Sequence, residues 1–350
     1  MKSQLFPVFL VLAAAPLLVT ACGPRGYAPG NLAAAAARGE IPLAAAIALP
    51  NEWEVERGIR LHYFKRGTGR PVLVLHGGPG LPTNDPWPGL EPLNDRFTFY
   101  YYHQRGCGLS TRPIRSFPSG NFPANAAALQ KALGISAQVA DIERIRRALG
   151  AEKITLVGHS FGGFLAALYA AEFPDRVEKL VLIAPADLIR FPPPSGGLYE
   201  RMNVLLPESE RAAFGKWLKS FFDFGSIFRK TEDDLVALNL AFVPFWSQAE
   251  QAMRAERGTS PAMDRALVGG WIQPGAFFSM GRHYDFREAL KKVAVPALVI
   301  VGDRDPLGVS SVDDYRTFPN ARLVTIAGSG HFPQGDAGEF SSLAGEFLGK

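Results

Sequence analysis

From residue 52 onward the apolar positions follow two alternating rhythms. A continuous apolar run at residues 72–75 is repeated as a short buried-strand signal at 154–157, 180–183, 298–301 and 323–326, with a single Thr in the second and the last. Such runs mark strands covered on both faces, as in a parallel sheet. Residues 97–102 form a sixth run, rich in aromatic side chains that suit a strand. Between runs the spacing changes to three and four: Val139, Ile142, Ile145 and Leu149 predict a helix opened by Ser136. At the front, residues 53–56 and 59–64 read as a hairpin around Arg57-Gly58. Strands separated by helices predict an α/β fold, a mostly parallel sheet with helices on both faces. The rhythm breaks over residues 187–285. This stretch opens on Pro192-Pro193-Pro194, lacks a buried-strand run, and holds 15 of the 39 aromatic residues. It reads as a mostly helical cap over one end of the sheet, dividing the core into residues 51–186 and 286–350.

Residues 1–21 have a different character. Lys2 precedes an apolar run over residues 5–19, broken by Pro7 and Pro16, and small residues follow. This is the layout of a secretory signal, shorter than the roughly 20 apolar residues of a membrane span. Val19-Thr20-Ala21-Cys22 resembles the lipobox of bacterial lipoproteins, in which the cysteine is lipidated and becomes the mature N-terminus. A thiolate is the nucleophile suited to accept a diacylglyceryl group. Gly23 stands where an Asp would signal inner-membrane retention. The expectation is an exported lipoprotein on the periplasmic face of the bacterial cell envelope, anchored through Cys22 in the outer membrane. Residues 22–50, rich in Ala, Gly and Pro, read as a flexible tether of roughly 30 Å. With Cys22 lipidated, Cys107 is the remaining thiol, a small inert turn residue, and no internal disulfide forms.

Composition narrows the class. In 350 residues, 47% are hydrophobic and 20% charged, which excludes an intrinsically disordered chain. The net charge of +4 is scattered without a basic block and gives no sign of a nucleic-acid partner. Two cysteines exclude a disulfide scaffold and a four-cysteine zinc site, and six histidines without H-E-x-x-H suggest no metal site.

The chemistry sits at strand ends. Gly158-His159-Ser160-Phe161-Gly162-Gly163 follows the run at 154–157 and leads into a helical stretch at 164–171. It is G-x-S-x-G in the strand-turn-helix setting of a nucleophile elbow, where small neighbours let the serine project above the sheet. A serine hydroxyl needs a base, and the base needs an orienting acid. Both follow in the order acid, then histidine. Gly302-Asp303-Arg304-Asp305 comes after the run at 298–301, and Gly328-Ser329-Gly330-His331 after that at 323–326. Ser160 is thus the candidate nucleophile and His331 the base. Asp305 is the preferred acid because it lies further into its loop, with Asp303 as rival. An oxyanion needs two N–H donors. Phe161 supplies one, and Gly78 of His76-Gly77-Gly78-Pro79-Gly80 the other. His76 and His159, each beside a tight turn, read as structural.

Together with the Gln104-Arg105-Gly106-Cys107-Gly108-Leu109-Ser110 loop, these motifs resemble the α/β-hydrolase superfamily, and more narrowly its proline iminopeptidase branch. The match runs from about residue 52 to the end, apart from the cap. The resemblance implies an eight-stranded, mostly parallel sheet, a helical cap, neither metal nor organic cofactor, and a small peptide or ester substrate. One departure is His103, where the family loop usually carries Asp. Another is the cap, which lacks the branch's Trp-x-x-Trp-Glu segment; Phe245-Trp246-Ser247-Gln248-Ala249-Glu250 is the nearest approach, with the wrong spacing. Glu200, Glu208, Glu232 and Glu250 remain candidate readers of a substrate amine, though each reads first as a solvated helix-face charge. The aromatic cap can supply an apolar slot in either case. The leading expectation is an aminopeptidase-like serine hydrolase, with a lid-covered carboxylesterase as runner-up. A haloperoxidase-like or C–C bond hydrolase would share the triad. A catalytically silent binding protein is the reading from another class, since fold alone does not imply function. A serine at the elbow argues against dehalogenases and epoxide hydrolases, which place a carboxylate there.

Overall fold

The computed structural model describes residues 26–193 and 196–349. The signal-like run, the Cys22 lipobox and Gly23 lie outside the described residues. Nine strands form one sheet: β1 (Ile47–Leu49), β2 (Glu52–Glu56), β3 (Ile59–Arg66), β4 (Arg70–Leu75), β5 (Phe97–Tyr102), β6 (Ile154–His159), β7 (Val177–Ile183), β10 (Ala297–Gly302) and β11 (Ala321–Ile326). Their spatial order is β1-β2-β3-β5-β4-β6-β7-β10-β11. From β5 to β11 every neighbouring pair is parallel, while β1, β2 and β3 join antiparallel. Four of the runs become the central strands β4, β6, β7 and β10, because apolar side chains tolerate cover on both faces, while the run at 323–326 becomes the edge strand β11, where Leu323 and Val324 are only half-buried. Val72, Leu156, Leu180, Val299 and their neighbours are fully buried.

One face of the sheet packs on α3 (Ile135–Ala148) and α4 (Phe161–Glu172), and the other on the C-terminal helix α10 (Glu339–Gly349). The helix expected to open at Ser136 begins at Ile135. Gly134 is its N-cap, and the Ile135 N–H is satisfied from outside by Ser279 Oγ at 3.0 Å. Sequence spacing placed its buried face correctly, since Val139, Ile142 and Ile145 are fully buried.

Two expectations need correction. The sheet has nine strands rather than eight, because Ile47–Leu49 pairs with the opening hairpin. The segment read as a tether, residues 22–50, is folded wherever it is described. It forms α1 (Asn31–Ala37), and Tyr27, Leu32, Leu43 and Ala46 are buried in the main core. The Ala33 N–H donates to Glu172 Oε2 at 3.0 Å, and the Tyr27 N–H to the Ser279 carbonyl at 2.6 Å. Four well-spaced apolar side chains suffice to dock an otherwise bland, alanine-rich stretch.

Residues 187–285 carry α5 (Gly197–Leu205), α6 (Glu208–Phe221), α7 (Glu232–Leu240), α8 (Val243–Met253) and α9 (Ile272–Met280). A two-strand ribbon, β8 (Arg190–Phe191) with β9 (Tyr284–Asp285), closes the root of this excursion. Its aromatic side chains pack against one another as a separate small core. α9 rests on α2 (Phe122–Leu133) and α3, and its Phe277 packs back against Phe221 and Phe222 of the cap.

Candidate active site

The chain reverses at Ser160, which takes φ 52° and ψ −119° between β6 and α4. A non-glycine residue at positive φ is unfavourable unless its surroundings impose it. Here the Ser160 N–H donates to the Ile183 carbonyl at 2.9 Å, and its own carbonyl accepts from Phe164 and Ala186 at 3.1 and 3.0 Å. The motif's glycines are required by close approach. A Cβ on Gly158 would collide with the Gly162 backbone, and one on Gly162 with the carbonyls of Leu75 and His76.

β10 and β11 deliver the other two groups. His331 Nδ1–H donates to Asp305 Oδ2 at 2.8 Å. That bond leaves Nε2 with its lone pair. Asp305 is fully buried, and its second oxygen accepts the Leu307 N–H at 2.8 Å. The rival acid faces elsewhere: Asp303 Oδ1 accepts the Gly328 N–H at 2.8 Å and lies 3.7 Å from Arg304, shaping the turn before His331. Residues 256–258 lace that turn from the cap side. The Arg257 carbonyl accepts from Gly330 at 2.9 Å and the Gly258 carbonyl from Phe332 at 2.8 Å, on either side of His331. No sequence signal marked this segment, because its contacts to His331's neighbours are backbone; the Arg257 side chain adds bonds to the Ala327 carbonyl, Asp336 and Glu339.

Ser160 and His331 line one cavity of about 910 Å³, as do Gly78 and Phe161. Phe161 is the first residue of α4, where an N–H has no intrahelical acceptor. Gly78 sits at φ 120°, a conformation open to glycine.

Three further histidines, His76, His159 and His103, are neutral struts. His76 Nε2 accepts the Gln104 N–H at 3.0 Å, so Nδ1–H donates to the Gly77 carbonyl at 2.8 Å. Burial pushes His76 down to about 3. His159 Nε2–H donates to the His331 carbonyl at 2.8 Å, and burial, then the neighbouring His331, hold it well below the ordinary imidazole value. His103, in place of the family's Asp, accepts the Leu109 N–H at Nδ1 (3.0 Å) and donates from Nε2 to the Thr83 carbonyl (3.2 Å). Burial lowers it to about 4. Its loop is further fixed by Arg105, which binds Asp141 through two nitrogens at 2.6 and 2.5 Å and Glu56 at 3.0 Å. Cys107 is a buried turn residue whose thiol burial pushes far up, and it donates to the Gln104 carbonyl.

Among the four candidate glutamates of the cap, two are not solvated face charges. Glu232 is buried and accepts from Arg112 at 2.5 Å and from the Gly270 and Trp271 N–H groups. Glu250 is buried and accepts from Ser260, through the N–H at 3.1 Å and Oγ at 2.8 Å. Glu232 uses both of its oxygens and Glu250 its Oε1 in holding the cap, and neither lines the cavity. Glu208 is exposed in the first turn of α6, and Glu200 is exposed at the edge of the cavity. The carboxylate that sequence reasoning missed is Asp187. It lines the cavity, half-buried, one residue after Ala186, whose N–H is bound to the Ser160 carbonyl. Burial, then Asp314, raise it to about 6, against the opposing pull of Arg190. Its position at the cap's root follows from the end of β7, and no local motif in the sequence marks the residue itself.

A serine on a strand-to-helix turn, with an Asp–His pair at the ends of later parallel strands, defines a class. The model of the alpha/beta hydrolase fold matches residues 70–337, and the chain belongs to that family. Within it, the chain resembles the proline iminopeptidase branch. It is 30% identical over 283 residues to a proline iminopeptidase of Lactobacillus delbrueckii subsp. bulgaricus, covering 75% of this chain and 84% of the relative. It is 28% identical over 313 residues to one from Xylella fastidiosa (strain Temecula1), covering 79% and 88%. Among solved structures, an esterase from Exiguobacterium antarcticum superposes with a TM-score of 0.55 at 21% identity, covering 86% of this chain and all of the esterase. The protein is a hydrolase of the α/β fold.

Proposed function

We propose that the protein is a serine hydrolase that cleaves an amide through an acyl-enzyme on Ser160, acting on substrates with a free amine as an aminopeptidase does. The carrying observation is the buried Asp305–His331 bond beside a cavity that Ser160 also lines. His331 Nε2 takes the Ser160 proton as Oγ attacks the carbonyl carbon. The oxygen gains the displaced electron pair and lies toward the N–H groups of Gly78 and Phe161. Asp305 stabilises the imidazolium. Collapse breaks the C–N bond, and His331 returns the proton to the leaving amine. Water, deprotonated by His331, then releases the acyl group by the reverse sequence. Asp187 supports the amine reading: it has no hydrogen bond or ion pair among the described residues and lies in a lining without Lys or Arg.

Kinetics test both layers. Ser160→Ala should remove most of kcat, leaving the residue due to binding and oxyanion contacts. N-acetylating an aminoacyl arylamide should lower kcat/KM by about tenfold or more, the worth of a charge-assisted hydrogen bond. An unchanged value would discard the aminopeptidase reading in favour of the esterase, which the largely apolar lining also suits. We further propose that Cys22 carries a lipid and holds the enzyme on the periplasmic face of a membrane. Cys22→Ser should then move it from the membrane to the soluble fraction.

A further inference from the structure

Resting on the hydrolase reading of Ser160, we propose that the substrate carries a large apolar group, aryl or long alkyl, laid along an aromatic wall that begins at His331. The Trp246 ring stands edge-on to the His331 imidazole, centroids 5.1 Å apart. Phe242 follows at 6.1 Å, Trp217 at 4.9 Å from Phe242, Phe221 at 4.7 Å from Trp217, and Phe222 at 5.0 Å from Phe221. All five line the cavity. The pairs Phe242/Trp246 on α8 and Trp217/Phe221 on α6 are each four residues apart, so each pair shares one helix face.

The wall is apolar in chemistry as well as in shape. Trp246 Nε1–H donates to Ser260 Oγ at 2.8 Å, and Trp217 Nε1–H to the Leu238 carbonyl at 2.9 Å. Both indole donors are therefore spent on the cap, and what they offer the cavity is ring surface. At about 910 Å³ the cavity is near the upper end of the roughly 300–1,000 Å³ that encloses a drug-sized ligand. A prolyl ring at Ser160 would leave most of this wall bare. The charge of the lining limits what the apolar group can bear. Asp85, Glu200 and Asp264 are exposed carboxylates around the same cavity, Asp187 lies further in, and no Lys or Arg is among the described lining residues. A long group with an anionic end meets repulsion there; a neutral or cationic one does not.

The experiment uses the full-length protein and neutral p-nitrophenyl esters of acetate and octanoate, and in parallel acetate esters of short and long alcohols. In at least one series kcat/KM should rise about tenfold or more from short to long, a fraction of what six buried methylenes can supply. A terminal carboxylate on the long chain should erase the gain. Phe242→Ala, at the half-buried N-cap of α8, should cut the ratio of long- to short-chain kcat/KM at least severalfold, a ratio that does not move with the amount of active enzyme. Flat or falling series in enzyme that a fluorophosphonate probe labels, or a gain untouched by Phe242→Ala, would overturn the proposal. Failure of the probe to label Ser160 would instead overturn the hydrolase reading beneath it.

Discussion

Two acids, Asp303 and Asp305, stand two residues apart in the loop that meets His331, and the hydrogen bonds divide the work between them. Asp305 orients the imidazole, while Asp303 ties down the Gly328 N–H. Asp305→Asn should therefore lower kcat by about 10³- to 10⁴-fold through loss of the correct tautomer and of imidazolium stabilisation. Asp303→Asn should cost less than about tenfold, because it keeps the loop and touches no reacting group. Equal losses in steady-state kinetics would contradict the assignment. Asp187 gives a second residue-level expectation. It faces Asp314, Arg190, Asp313, Tyr284 and Tyr315, and ionises at about 6. An amine-bearing substrate needs the carboxylate charged, so its kcat/KM should rise with pH through about 6. Asp187→Asn should remove that limb and lower kcat/KM about tenfold or more, while a neutral ester keeps its profile. An identical change for both substrates would show that Asp187 does not read the amine.

Elements act as frames for these residues. The loop from His103 to Ser110 is held by neutral imidazoles and by the buried Arg105–Asp141 pair, so the Asp usual in this family is replaced by a histidine that binds backbone alone. The N-terminal segment behaves as a strap. Leu32 is 1% exposed in the main core, and the adjacent Ala33 N–H is capped by Glu172. If α1 belongs to the core, Leu32→Ala should destabilise the protein by about 2–5 kcal/mol, as for other fully buried leucines. Denaturant unfolding measures this directly. A change below about 0.5 kcal/mol would mean that residues 26–49 are an appendage after all.

At the scale of the whole molecule, buried neutral histidines set the acid limit. His76 and His103 are lowered to about 3 and 4, and His159 also lies well below 6.5, all chiefly by burial. The unfolded chain binds protons that the fold refuses, so their contribution is fully present above about 6.5 and is lost as pH falls toward 4 and below. Asp187 and Glu172, both raised, act with the opposite sign: they favour the fold at low pH and lose that effect as pH rises through their folded values. Three depressed imidazoles with full burial should prevail, and Tm should fall between pH 7 and pH 4.5. A flat or rising Tm over that range would refute this balance. Membrane attachment changes in scale too. If Cys22 is acylated, the four residue steps to the docked Gly26 reach at most about 14 Å, so the body is held close to the lipid rather than on a 30 Å tether.

The sequence by itself determined whatever depends on local pattern. Unbroken apolar runs specify buried parallel strands, because such strands have no solvent face to alternate with. G-x-S-x-G after a run specifies the elbow, because the turn admits only small neighbours. The order of serine, acid and histidine followed from reading the strand ends. What tertiary structure decided depends on distant partners. Loop position favours Asp305 over Asp303 in the text, and the β11 loop decides between them by bringing the imidazole to Asp305 and the Gly328 N–H to Asp303. Glu232 and Glu250 look like helix-face charges until Arg112 and Ser260 are placed against them. Asp187 has no motif and becomes an unpartnered cavity carboxylate only once β7 carries it beside Ser160. The alanine-rich front is bland in composition, and its burial is set by a groove that exists only after the sheet and α4 have packed.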